Sequence, residues 1–166
     1  TGSNSCDYDG AKIVDSRPAP GYILGDEGGG GYIGRKLLRD FINQEMPSEI
    51  FQELKDRFHL TQAIIQDHVY RQPFPNRYMP SFCRFITEHA SNPYCYRLFY
   101  DSFIEFFEKH IFKYKDCKSK QVNFVGSIAF YNSDILRKAA RDQGLQVNLI
   151  IESPIAGLTL YHQNKL

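Results

Sequence analysis

Nine of the twelve glycines fall within the first 34 residues (Gly2, Gly10, Gly21, Gly25, Gly28, Gly29, Gly30, Gly31 and Gly34), and none occurs from Arg35 to Val125. Glycine permits tight turns and close backbone approach at the cost of conformational entropy. The skew therefore concentrates bending in the amino-terminal part and leaves a long middle stretch suited to helices. The chain has 166 residues, 42% of them apolar and 23% charged, which is the length of one ordinary domain with enough apolar side chains for a core. A formal net charge of +1 removes the electrostatic case for nucleic acid or acidic lipid as main partner. No uncharged run approaches the ~20 apolar residues of a membrane span, and no basic-then-apolar leader opens the chain, so a cytoplasmic protein is the expectation. Cys6, Cys83, Cys95 and Cys117 are widely spaced, with no Cys-x-x-Cys pair, and read as reduced thiols rather than a metal or disulfide framework. The opening Thr1-Gly2-Ser3-Asn4-Ser5, without Met, reads as the loop-like start of a trimmed piece.

Asp9-Gly10 between Cys6–Tyr8 and Lys12–Asp15 predicts a hairpin, followed by a short strand over Tyr22–Leu24. From Tyr32 the rhythm changes: Ile33, Leu37, Leu38, Phe41 and Ile42 recur at helical spacing. Further helices are predicted over 48–58, with Ser48 as N-cap, over 61–70, over 81–90 and over 93–114. A fixed loop separates them at 71–80, where Pro73, Pro75 and Pro80 oppose helix continuation. Phe99, Phe103, Phe106, Phe107, Ile111 and Tyr114 run down one side of the longest helix, a pattern of core packing. Gln121–Val125, a helix over 132–143 and Leu145–Ile151 form a strand–helix–strand crossover of about 31 residues, so the two strands should be parallel. Ser153-Pro154 then starts a last helix. The order of elements reads as one α/β domain.

Three loops have the residue types for ligand chemistry. Thr1-Gly2-Ser3-Asn4-Ser5 can bring backbone N–H groups and short polar side chains to a phosphate or sugar. Gly25-Asp26-Glu27-Gly28-Gly29-Gly30-Gly31 puts two adjacent carboxylates in a bendable loop before a helix, where they can accept sugar hydroxyls, bind a metal or simply complement the helix dipole. Val125-Gly126-Ser127 ends a parallel strand, the usual ligand side of an open α/β sheet. Neither Gly-x-Gly-x-x-Gly nor a Walker-type motif is present, which disfavours dinucleotide and P-loop folds. The five histidines sit in or beside helices without a hydrolase-like Ser or Cys partner and read as surface or packing residues. Lys109, Lys113, Lys115, Lys118 and Lys120 gather at the end of the long helix, where cations complement its dipole.

Taken together, Thr1-Gly2-Ser3-Asn4, Gly21-Tyr22-Ile23-Leu24-Gly25-Asp26-Glu27-Gly28, Phe124-Val125-Gly126-Ser127 and Ser153-Pro154-Ile155-Ala156-Gly157-Leu158 resemble the BadF/BadG/BcrA/BcrD-type ATPases. That group includes N-acetylglucosamine kinases and belongs to the sugar kinase, heat-shock protein and actin superfamily. The resemblance covers the C-terminal half of such proteins. It implies a ribonuclease H-like, actin-like ATPase lobe over residues 1–166, with a helical insertion at about 32–115 and a missing N-terminal lobe. By the same resemblance, Thr1, Gly2, Pro80, Gly126 and Ser127 would bind ATP. Ser3, Asn4, Ala19, Pro20, Gly21 and Asp26 would bind the sugar. Gly29 stands where the family usually has Ser, and Pro80 where a smaller residue is commoner.

The N-terminal Asp-Gly-Gly-Gly-Thr phosphate loop and the family's catalytic Asp are absent, so no catalytic residue is expected in this chain, which alone should not phosphorylate anything. The resemblance implies an ATP- and Mg²⁺-dependent kinase acting on N-acetylglucosamine or a related hexose, with no protein metal site, no nucleic acid, no membrane and a homodimer among its partners. Two alternatives stand beside it. One is an ATPase coupled to electron transfer in a partner enzyme, for which the cysteines offer no obvious pair. The other is a non-catalytic sugar-sensing module.

Overall fold

The computed structural model describes residues 2–163. Two short strands, β1 (Cys6–Tyr8) and β2 (Ile13–Ser16), form an antiparallel hairpin with Asp7 opposite Asp15. Its turn is closed by Asp9, whose Oδ1 accepts the N–H groups of Ala11 and Lys12 at 2.9 Å each, while Gly10 takes φ 97°. That is the Asx-turn chemistry which makes Asp-Gly a hairpin signal.

The stretch from 21 to 24 departs from the predicted strand. It is a single helical turn, α1 (Gly21–Leu24), closed by Gly25 N–H donating to Gly21 O at 2.9 Å. Pro20 already has helical angles, and three apolar residues are too few to distinguish a strand period from a helical one.

Next come α2 (Gly30–Asn43), α3 (Ser48–Phe58) and α4 (Gln62–Tyr70). Thr61 caps α4 by accepting Ile64 N–H at 3.2 Å. Ser48 does not cap α3: Pro47 holds the cap position and Ser48 is the first helical residue. The proline-rich segment is helical where a fixed loop is expected, with α5 (Pro75–Tyr78) and a 3₁₀ turn at Met79–Phe82. Pro75 and Pro80 each sit in a first turn, where a missing N–H costs no intrahelical bond. Helix α6 (Cys83–Glu88) is shorter than predicted, and α7 (Pro93–Lys109) stops before His110, giving way to a 3₁₀ turn at Ile111–Lys113.

Helix α7 is the keel of the core. Phe99 and Phe107 are fully buried, and Phe103, Phe106, Ile111 and Tyr114 nearly so. Each such apolar side chain contributes about 1.5–3 kcal/mol on burial. Helix α2 packs Ile33, Leu37, Leu38 and Phe41 into the same cluster.

The last third is β3 (Gln121–Val125), α8 (Ser127–Tyr131), α9 (Ser133–Asp142), β4 (Gln146–Ile151) and α10 (Ile155–Gln163). Strands β3 and β4 pair in parallel, Gln121 opposite Gln146 and Val125 opposite Ile151. The register slips between Val122 and Phe124, where Asn123 Oδ1 accepts Leu149 N–H at 3.2 Å and Asn148 Nδ2–H at 3.0 Å. Helix α8 follows Gly126 directly, so the expected turn there is a helix start. Helix α9 buries Ile135, Leu136, Ala139 and Ala140 against α7.

The result is a mixed α/β structure with two separate two-stranded sheets. Among the described residues, the edge of β1 away from β2 and the edge of β3 away from β4 are unpaired, and both strands line one open cleft. Lys120 Nζ, just before β3, reaches Asp7 Oδ2 on β1 at 2.5 Å. No helix of the described residues is long and apolar enough to cross a membrane.

Candidate functional site

The open cleft has a volume of about 1970 Å³. That exceeds the ~300–1,000 Å³ of a typical small-molecule pocket, so it has room for more than one ligand or for further polypeptide. One wall is the Gly2–Asn4 loop with β1 and β2, the other is β3 with Gly126 and Ser127, and Gly28–Gly30 and Pro80 close the base.

Asp26 lies behind the first wall, outside the cleft lining, and holds that wall's amino-terminal loop. Its φ of 62° is in the left-handed region, and it is only 8% exposed. Its carbonyl accepts Gly29 N–H at 2.9 Å, and its Oδ1 accepts Ser3 N–H at 3.3 Å. A side chain at Gly2 would place its Cβ 2.6 Å from Asp26 Oδ2, so only glycine lets the amino-terminal loop lie on this carboxylate. The two loops singled out in the sequence are therefore in contact. Ser3 Oγ beside them is buried without a hydrogen-bond partner, a cost folded proteins seldom tolerate. Asn4 is exposed, and Thr1 lies outside the described residues.

Glu27 turns away from Asp26. Its Oε2 accepts from His110 Nε2 at 3.2 Å, and both side chains are largely buried. Of the two adjacent carboxylates, one meets the amino-terminal loop and the other is tied to the end of α7. Gly28 (φ 74°) follows, with Phe106 Cβ only 3.0 Å from where its own Cβ would be. The glycine run thus serves close packing as well as bending: at Gly30, a Cβ would approach Pro80 Cβ to 3.0 Å and Ile128 Cδ1 to 3.3 Å. Cys83 Sγ donates to Gly30 O at 3.3 Å, and burial pushes the Cys83 thiol up to about 12.

On the second wall Gly126 has φ 138°, and nothing lies within 4 Å of a Cβ built there, which leaves its cleft face open to a flat ligand. Its N–H donates to Ile151 O at 2.9 Å, tying the loop to β4. Ser127 is exposed at the start of α8, and Pro80 is half-buried at the base. Ala19, Pro20 and Gly21 do not line the cleft; the Pro20 ring packs behind Gly25, 3.0 Å from its would-be Cβ.

Other residues that hold the site have no sequence signal. Tyr114 OH bonds Ser5 Oγ at 2.8 Å and accepts Arg17 N–H at 3.1 Å, pinning both ends of the hairpin. Tyr32 and Lys36 both donate to Glu105 on α7. Burial, then the Glu105 hydrogen bond, raises the Tyr32 phenol. Burial alone would raise Glu105, but the hydrogen bonds from Lys36 and Tyr32 hold it below the usual range. Among the described residues no three His, Cys, Asp or Glu side chains form a metal-binding group.

No family model matches the sequence, and no curated protein matches it. Among solved structures, the chain matches the crystal structure of a protein from Porphyromonas gingivalis described as a "putative N-acetylglucosamine kinase", with a TM-score of 0.93 and 36% identity. The match covers 98% of this chain but only 57% of that one, so the chain spans a little over half the length of the protein it resembles.

Proposed function

From the premise that this chain is a partial relative of N-acetylglucosamine kinase-type proteins, we propose that it is the nucleotide- and sugar-binding half of an ATP-dependent kinase for N-acetylglucosamine or a related hexose. In this reading residues 1–166 are one actin-like ATPase lobe with a ribonuclease H-like sheet, and the helices at about 32–115 are an insertion. A second lobe closes over the cleft. The observation that carries the proposal is the seating of the Gly2–Ser3 backbone, which lines the cleft together with Gly126, on the buried Asp26 carboxylate.

The residues divide by chemistry. Asp26 is an anionic acceptor of the kind that orients sugar hydroxyls; among the described residues, no hydrogen bond is made to its Oδ2. Ser3 Oγ and the exposed Asn4 amide supply further polar groups on the same loop. Ala19, Pro20 and Gly21 lie outside the cleft lining, with the Pro20 ring behind Gly25, and act on the sugar through the position of the Asp26 turn. Gly126, with open space over its backbone, Ser127 and Pro80 form the face for the adenosine, and Gly2 approaches the phosphates, a role assigned from sequence to Thr1 as well, which lies outside the described residues.

Bound ATP would supply the transferable phosphoryl group, and Mg²⁺ would neutralise the charge that develops on it. What this half contributes is orientation of both substrates and exclusion of water between them. The base that deprotonates the sugar hydroxyl is assigned to the missing lobe.

The test is phosphorylation of a hexosamine panel by the complete protein that contains this chain, with Asp26→Asn beside it. A charge-assisted hydrogen bond is worth about 1.5–3 kcal/mol, so the variant should raise the sugar KM about 10- to 150-fold and leave the KM for ATP near its original value. ATP hydrolysis unaffected by every sugar, with no phosphosugar formed, refutes the proposal.

A further inference from the structure

The turn that carries Asp26 is held in an unusual way. Asp26 and Gly28 both have positive φ (62° and 74°), and Asp26 is not a glycine, so its conformation is strained unless its surroundings impose it. Within the turn, the Gly29 N–H to Asp26 O bond is local and does not fix its position relative to the rest of the molecule. Two features do. Gly28 is packed closely on Phe106, whose Cβ would lie 3.0 Å from a Cβ added there. Glu27, between these two positive-φ residues, reaches the imidazole of His110 just past the end of α7.

A carboxylate only accepts, so the proton of this hydrogen bond is on His110 Nε2. The ring is itself clamped: it lies tilted over Phe106 with centroids 5.1 Å apart, and its backbone N–H donates to Phe106 O at 2.9 Å. His110 is 5% exposed, and its side chain belongs to neither cleft wall.

Resting on the reading of Asp26 as the sugar acceptor, we propose that His110 is a positioning residue, whose Nε2–H grips Glu27 and thereby sets the Asp26 carboxylate against the Gly2–Ser3 loop for sugar binding. Rigid α7 is the reference body, and Glu27 is the lever between it and the loop. The imidazole touches no substrate. Its effect falls on sugar affinity rather than on phosphoryl transfer.

The complete protein containing this chain is compared with its His110→Phe, His110→Gln and Glu27→Gln variants. Phe keeps the ring on Phe106 and removes the donor; Gln places an amide N–H close to the position of Nε2. The expected result is a roughly tenfold higher sugar KM for His110→Phe with kcat within about twofold. His110→Gln should recover to within about threefold of the original, and combining His110→Phe with Glu27→Gln should cost no more than the worse single variant. Hydrogen exchange at the amides of Glu27–Gly29 should quicken about tenfold in His110→Phe, while those of α9 stay as they were.

A lowered melting temperature with unchanged sugar KM, or no recovery with Gln, assigns His110 a packing role and overturns the proposal. If the parent protein binds and phosphorylates no sugar, the kinase reading fails on its own. The exchange measurement still decides the latch, because unchanged exchange at Glu27–Gly29 overturns it.

Discussion

Replacing Gly34 by Ala tests the packing that places the base of the cleft. Gly34 lies in α2 facing the 3₁₀ turn at Met79–Phe82, and a Cβ added to it would fall 1.8 Å from Met79 O and 2.5 Å from Met79 C. Ordinary contact begins near 3.4 Å, so the helix and the turn would have to separate by more than 1 Å along this line. The obstruction is backbone and cannot swing aside as a side chain can.

Overpacking of this sort costs about 3 kcal/mol at the upper end of its usual range. Ala in a helix interior returns about 1 kcal/mol relative to Gly. The net loss is about 2 kcal/mol, which at a urea m-value of about 2 kcal/mol/M moves the unfolding midpoint down by roughly 1 M. Pro80 belongs to the same turn and lines the cleft, so nucleotide affinity should weaken as well. Gly157→Ala, in α10 with nothing within 4 Å of its would-be Cβ, provides the matched control and should be neutral or slightly stabilising. A Gly34→Ala protein as stable as its parent refutes the reasoning.

The thiols and Tyr114 give further checks. Native protein at pH 8 should label first at exposed Cys6, more slowly at half-buried Cys117, and at Cys83 and Cys95 only after unfolding; labelling of Cys83 at the rate of Cys6 contradicts the packing. Burial raises Cys83 from an ordinary 9.0 to about 12, and its unfolded thiol ionises first, so its contribution to stability is complete below pH 9 and declines by about 1.4 kcal/mol per pH unit between 9 and 12. Tyr114→Phe removes the hydroxyl shared by Ser5 and Arg17, and should cost about 1–2 kcal/mol and speed proteolysis at the Asp9–Lys12 turn; unchanged cleavage there sinks that assignment.

Helix placement was legible wherever apolar periodicity ran long: α2, α3, α4, α7, α9 and the parallel β3–β4 pair lie close to their predicted spans. The failures are short elements. Tyr22–Leu24 has only three residues with which to show a period, and prolines 75 and 80 mark helix starts as well as loops. At the site, Gly2, Ser3, Asp26, Gly126 and Pro80 stand out as special residue types, and the structure brings Gly2, Ser3 and Asp26 into contact. Asp26 and Glu27 look equivalent in sequence because nothing local announces that one of them meets His110, 83 residues away. Tyr114 is hidden for the same reason: as the last member of an aromatic stripe, its ring serves the core while its hydroxyl serves a distant hairpin.

Those distant ties imply an order of assembly. Glu27 to His110, Arg17 and Ser5 to Tyr114, and Asp7 to Lys120 join residues 83 to 113 apart in sequence. Within the helical body, by comparison, packing partners lie nearer in sequence, α2 meeting the turn at Met79–Phe82 and α7 meeting α9. Closing such long loops is entropically costly until their anchor exists, so the helices should condense first and the glycine-rich arm should dock last. Run in reverse, the arm is the first part to detach on mild destabilisation, exposing the cleft wall while α7 and its neighbours stay folded. Loss of ligand binding should then precede loss of helical signal along a denaturant titration, with the arm opening as a unit of its own.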